Sequence, residues 1–174
     1  FRGVKDVRAN LMLDWLHHHF PEVAQILIMR HPCAVVLSRM QLDWATDGDI
    51  ASFLAQPTLI DDWLTPYLDV IARAQTAVEK HAVIWCVSYL LPLQRPSART
   101  LVFYEDLVAH PDRELARLGQ AIGRRMEASD ARRPSATAVS SSAVVTGDNR
   151  LTRWQQALTP DQIRRVLAIV AAFG

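Results

Sequence analysis

Apolar positions recur at helical or strand spacing along most of the chain, and Pro, Gly and polar clusters separate the runs. Leu11 to Phe20 reads as an amphipathic helix, with Met12, Trp15, Leu16 and His19 on one face and Pro21 ending it. Gln25-Ile-Leu-Ile-Met29 is a nearly unbroken run of β-favouring residues. Such a run predicts a strand buried on both faces, the kind found in parallel sheets covered by helices. Pro32 then stands where a helix places its first residue, and the helix is expected to run to Asp43. Residues 48–57 read as a loop or short turn ending at Pro57. From Thr58 to about Leu91 the chain is mostly helical, with a break expected near Pro66 and closure at Pro92. Arg99 to Tyr104 is a second strand.

The next helix carries the clearest punctuation. Pro111 lies in its first turn, Asp112 and Glu114 face the positive end of the dipole, and Leu115, Leu118 and Ile122 share a face. Gly123 follows as a left-handed stop. Residues 124–150 have no periodicity and are rich in Ser, Ala and Arg, which predicts a long mobile loop or lid. Thr159-Pro-Asp-Gln162 is a capping box opening a last helix, with Ile163, Val166, Leu167 and Val170 expected inside. Strands alternating with helices give an α/β fold of three layers, a parallel sheet flanked by helices. Two strands are few for a stable sheet. Residues 1–174, opening at Phe1 rather than Met, therefore read as a single-domain fragment incomplete at its amino end.

Composition narrows the class. Half of the residues are hydrophobic, and at this length about 70% of the unfolded surface can be buried without metal or disulfide staples. Cys33 and Cys86 lie in apolar stretches with no metal-ligand spacing, which points to a reducing compartment and a cytoplasmic protein with no metal. The run from Ala82 to Leu93 is too short to span a bilayer, so no membrane is implicated. Residues 1–120 carry 11 basic and 14 acidic side chains, whereas residues 121–174 carry 8 and 4. That excess is too thin for nucleic acid but suits a small anion, or simply a solvated loop. Arginine outnumbers lysine 17 to 2, a composition associated with GC-rich bacterial genomes.

The sharpest chemistry lies in Met29-Arg30-His31-Pro32 followed by Ser38. The strand would deliver Arg30 to the carboxyl edge of the sheet, where open α/β folds bind ligands. The helix from Pro32 would aim its first N–H groups and positive dipole end at the same crevice. Arg30 adds a planar fork of donors matched to phosphate. Ser38, roughly 9 Å further along the helix, could flank a phosphate lying against its side. The alternative is a capped helix beside a surface arginine.

Arg30-His31-Pro32-Cys33-Ala34-Val35-Val36-Leu37-Ser38 resembles the 3′-phosphate-binding segment of sulfotransferases that use 3′-phosphoadenosine 5′-phosphosulfate (PAPS). Val4-Lys5-Asp6-Val7-Arg8 before Phe20-Pro21 is similar to their lysine-bearing strand end. Leu101-Val-Phe-Tyr104-Glu105-Asp106-Leu107 resembles their Tyr-Glu-Asp strand, and Trp154 with Leu158-Thr159 their final helix. The resemblance implies a P-loop-NTPase-like fold. It also implies metal-free, in-line transfer of a sulfuryl group from PAPS, as co-substrate, to a hydroxyl or amine on a small-molecule or carbohydrate acceptor. Two departures stand out at the segment itself: His31 replaces the usual Asp, and Cys33 a common basic residue. The family's Pro-Lys/Arg-Ser/Thr-Gly-Thr-Thr loop, which cradles the 5′-phosphosulfate, is not in this sequence and is expected upstream of Phe1.

The resemblance also suggests roles for further residues. Lys5 matches a family lysine that stabilises the bridging oxygen, and Arg150 and Arg153 fall where the family closes a basic loop over the 3′-phosphate. Asp6 could act as general base or pair with Lys5 or Arg8. Trp85 reads as a platform for adenine or as core. Glu105 and Asp106 read as capping or loop-anchoring groups. His17, His18 and His19 point about 100° apart on a helix and cannot converge on one ion. Two other classes stay in view: a P-loop nucleoside-kinase-like phosphotransferase, and a non-catalytic helical interaction module.

Overall fold

The computed structural model describes residues 3–6, 9–94, 99–126, 149 and 151–174. A 3-10 turn, Ala9–Met12, leads into α1, Leu13–His19. Leu13 is buried and Leu11 packs on the core, while Met12 and Trp15 are each 49% exposed. The expected stripe through Met12 and Trp15 therefore faces outward. Trp15 is satisfied locally instead, its ring stacked on His19 one helical turn on, with centroids 4.3 Å apart.

β1, Gln25–Met29, pairs in parallel with β2, Arg99–Phe103, with Leu27 opposite Leu101 and Ile28 opposite Val102. Paired positions share a face of the sheet. Leu27 and Met29 pack into the main core with Trp85 and Cys86, and Val102 packs on the opposite side against Leu115 and Leu118. β1 nevertheless departs from the expectation of two buried faces. Ile26 and Ile28 remain 38% and 49% exposed, because the described residues on that side reach Val102 but not β1. An apolar run records that both faces can be buried; it does not record what covers them.

α2, Pro32–Gln41, starts at its proline as expected. Residues 48–57 were expected to be a loop, yet Asp47–Leu54 form α3. Asp47 and Asp49 in its first turn suit the positive end of the dipole, and both are anchored: Lys80 to Asp47 and Arg39 to Asp49, each at 2.6 Å. The long helical region is a chain of short pieces. α4 (Pro57–Leu59), a π turn (Ile60–Leu64), a 3-10 turn (Thr65–Tyr67) that holds Pro66, and α5 (Leu68–Arg73) precede a break at residues 74–76. Thr76 restarts the chain as α6, Ala77–Trp85, through a capping box with Glu79. A second π turn, Cys86–Leu90, leads to α7, Leu91–Gln94, so the helical path continues past Pro92.

After β2 the chain turns directly into α8, Tyr104–Ala109, and then α9, Pro111–Ala121. Gly123 has φ +64°, the left-handed stop the sequence predicted. The proposed loop 124–150 lies almost entirely outside the described residues. α10, Arg153–Ala157, and α11, Pro160–Ala172, close the chain; the Thr159–Gln162 capping box is present. α11 buries Val166 between α2 and α6, with Ile163, Ile169 and Val170 beside it, while Leu167 stays 42% exposed and off the expected inward face. Tyr67 stacks on Phe173 at 4.2 Å, fixing the end of that helix to the main core. No described helix is long and apolar enough to cross a membrane.

Candidate functional site

The end of β1 and the start of α2 form a corner at which α6, α8 and α10 meet. Arg30 follows the last strand residue, Met29, and His31 is the N-cap of α2. The guanidinium of Arg30 lies over the Tyr104 ring, 4.6 Å from its centroid. Such a ring steadies a cation through the electrostatic attraction of its π face. From the core side, the indole N–H of Trp85 donates to the Arg30 carbonyl at 3.0 Å. The backbone N–H of His31 donates to Glu105 Oε1 at 3.0 Å, so the start of α8 grips the start of α2.

His31 itself is sandwiched into this frame. Its ring stacks on Trp154 of α10, with centroids 4.3 Å apart and planes 12° from parallel. Its Nδ1 accepts the Cys33 N–H at 3.3 Å. Burial lowers the pKa of His31, and the neighbouring Glu105 charge opposes that shift. Burial likewise pushes the Cys33 thiol up to about 11, so it is held as a thiol rather than a reactive thiolate. The Tyr89 hydroxyl is also raised by burial, against the opposing charges of Arg39 and Arg30.

One expectation about this corner changes. The first N–H groups of α2 were expected to point at a ligand, but the helix uses them internally. Pro32 has none, Cys33 donates to the His31 ring, and Ala34 and Val35 donate to the His31 carbonyl at 3.0 and 3.1 Å. Anion binding here therefore rests on the Arg30 side chain, on groups along the flank of α2, and on the dipole. Ser38 is on that flank: at seven residues from His31 and three from Val35 it shares their helical face, and it is half-buried.

The remaining candidate residues are distributed unevenly. Trp85 is only 5% exposed, within the main core, so its face is not open for stacking; it supports Arg30 from behind. Arg153 is half-buried beside Trp154 on α10, and α10 packs on α2, which brings Arg153 to the neighbourhood of His31. Arg150 lies outside the described residues. Lys5 and Asp6 are exposed in residues 3–6, which form no helix or strand. No cluster of His, Cys, Asp and Glu suited to a metal ion occurs among the described residues.

Sequence reasoning placed Glu105 as an anchor, and it anchors His31. It missed Tyr104 as the support for Arg30 and Trp154 as the support for His31. Each pair is 74 or more residues apart in the chain, and only their type hinted at contact: an aromatic beside a polar corner.

Among known proteins, a family model described as a sulfotransferase family matches residues 5–128, well over half of the chain. No curated protein and no solved structure gave a match.

Proposed function

Because the chain belongs to the sulfotransferase family, we propose that it transfers a sulfuryl group from PAPS to a hydroxyl or amine of a small-molecule or carbohydrate acceptor, within a P-loop-like three-layer fold in the cytoplasm. Residues 1–174 would supply the half of the site that holds the 3′-phosphate. The observation that carries this reading is Arg30, a guanidinium delivered by a strand with one buried face to the sheet edge and steadied on the Tyr104 ring. Ser38 on the flank of α2 and Arg153 beside Trp154 are further donors suited to a phosphate dianion; Arg150 is proposed with them from its position in the sequence.

In the proposed reaction the acceptor oxygen or nitrogen attacks sulfur in line. The bond between sulfur and the 5′-phosphate oxygen breaks, and adenosine 3′,5′-bisphosphate leaves. The acceptor proton passes to a base, for which Asp6 is the proposed group. Lys5 would stabilise the bridging oxygen as charge builds on it. Positioning and charge stabilisation dominate such a transfer, as they do for phosphoryl groups, and the sulfuryl group's lower charge lets cationic side chains serve without a metal.

The test is calorimetric titration with adenosine 3′,5′-bisphosphate, alongside adenosine 5′-monophosphate as the control lacking a 3′-phosphate. The expected result is binding of the bisphosphate with a clear preference over the monophosphate. Equal affinity for the two nucleotides, or no heat with either, would overturn the assignment.

A further inference from the structure

We infer that His31 is a positioning residue for Arg30: by capping α2 through Nδ1 while stacked on Trp154, it fixes the backbone from which Arg30 reaches the 3′-phosphate. This rests on the reading of Arg30 given above.

The geometry separates what His31 does from what a surface histidine does. Arg30 and His31 are consecutive, so any rotation of the His31 backbone moves Arg30. Beside the helical bonds of Ala34 and Val35 to the His31 carbonyl, that backbone is held at three points: Trp85 on the Arg30 carbonyl, Glu105 on the His31 N–H, and the side chain of His31 on the Cys33 N–H. The first two partners are fixed from other elements. The third belongs to His31 alone, and the Trp154 ring sets its rotamer by lying parallel to the imidazole at 4.3 Å. Asp, Asn or Ser are the usual caps at such a position, because a short side chain with an acceptor reaches the second or third N–H of the helix. His31 performs the same capping with a ring nitrogen and adds an aromatic face for Trp154.

Acceptance at Nδ1 requires the unprotonated nitrogen. Protonation would turn Nδ1 into a donor aimed at the Cys33 N–H, at the positive end of the helix dipole, and release the cap. Among the described residues, Glu105 from α8 is the charged group that acts on the ring; Cys33 on α2 donates its N–H to it, and Arg30 and Arg153 are the chain neighbours of His31 and Trp154. Glu105 is the group among them that favours the protonated form, and burial outweighs it. The positioning form is thus the neutral imidazole. Were His31 instead a direct ligand of the phosphate, the imidazolium would be the binding form, and acid would strengthen its contribution.

Three variants divide the roles. His31→Ala removes the cap and the stack, His31→Phe keeps an aromatic face without a cap, and His31→Asn keeps a cap without the ring. Affinity for adenosine 3′,5′-bisphosphate should fall about tenfold in His31→Ala and His31→Phe and recover to within about threefold of wild type in His31→Asn. Affinity for adenosine 5′-monophosphate should change less than about twofold throughout, whereas general loosening of the fold would lower both. As pH falls below the ordinary histidine value the wild type should lose bisphosphate affinity relative to His31→Asn, a ratio from which the nucleotide's own titration cancels. A ratio that moves in favour of the wild type on acidification overturns the inference. So does His31→Phe binding as well as His31→Asn. Should His31→Ala fail to fold, the Asn and Phe variants and the pH ratio carry the test. Binding by wild type and His31→Phe alike removes only the role of His31; failure of the wild type to bind removes the reading of Arg30 as well.

Discussion

The two ends of α2 each carry an arginine set over an aromatic ring and a histidine used as an acceptor, yet the two clusters are built for different ends. Near its carboxyl end, Arg39 lies over Trp44 at 5.0 Å, donates from Nε to Nδ1 of His81 at 3.0 Å, and pairs with Asp49 at 2.6 Å. That guanidinium joins α2, α3 and α6, and its charge is shared out among protein groups. At the amino end, Arg30 rests on Tyr104 at the edge of the sheet, and the neighbouring histidine caps the helix. An arginine matched to a carboxylate and a buried imidazole is spent on holding elements together. One propped on a ring at a sheet edge stands where open α/β folds bind anions, and its planar guanidinium suits a phosphate. Sequence spacing makes the two arginines look alike. Their partners separate them.

The largest effect that would sharpen this contrast is on stability. Arg39→Ala should lower the free energy of unfolding in urea by about 2–4 kcal/mol, since it leaves a buried imidazole acceptor unpaired and removes the charge facing Asp49. Affinity of the folded variant for adenosine 3′,5′-bisphosphate should stay within about twofold. Arg30→Ala should do the reverse: bisphosphate binding weakens by about 1.5–3 kcal/mol, while stability shifts by less than about 1 kcal/mol. Parallel losses in both variants would erase the distinction between the two ends.

Acid should affect the carboxyl-end cluster through His81. It is 2% exposed, and its pKa is lowered to about 4, first by burial and then by the Arg39 charge, with Asp49 opposing. The folded value lies below the ordinary one near 6.5, so the unfolded chain takes up the proton first. The stability His81 allows is therefore fully present above about pH 6.5 and is lost as pH falls toward 4. The loss should amount to about 1–3 kcal/mol across that window. Glu79, lowered to about 2 chiefly by its hydrogen bond from the Thr76 backbone, responds later: its contribution is present above its ordinary value and disappears only below it. His81→Gln should flatten the slope between pH 6.5 and 4 while leaving the steeper acid limb in place. Urea midpoints measured at half-unit pH steps would decide it, and an unchanged slope would show that folding does not lower the pKa of His81.

What was legible in the sequence follows from how local each signal is. Pro32 at the head of α2, Gly123 in the left-handed region and the Thr159–Gln162 box were readable because each is settled within a few residues. Arg30 was legible as a candidate because strand, arginine and helix start are contiguous. The stripe on α1 was read on the wrong face, since Trp15 can satisfy itself against His19 without entering the core. α3 was missed because its anchors, Lys80 and Arg39, are distant in the chain. The uncovered Ile26 and Ile28, and the occupied N–H groups of α2, depend on tertiary partners that no spacing reports.

The smallest effect concerns the ring beneath Arg30. If Tyr104 acts through its π face, Tyr104→Phe should bind adenosine 3′,5′-bisphosphate within about 1.5-fold of the wild type. Tyr104→Leu, which keeps an apolar side chain and removes the face, should weaken binding by about 0.5–1 kcal/mol, the range for a solvent-accessible cation–π contact. The two substitutions differ in hydroxyl and in ring, so their order identifies the working part. A large loss in Tyr104→Phe would assign the role to the hydroxyl and make Arg30 more like Arg39, an arginine fixed by polar partners. A loss confined to Tyr104→Leu would keep the two ends of α2 distinct. The same pair also guards against a trivial explanation. Tyr104 opens α8, whose next residue, Glu105, holds the His31 N–H, so disturbance of the helix start would lower both variants together. Calorimetry on the two proteins, with unfolding midpoints measured in parallel, separates the ring from the helix it begins.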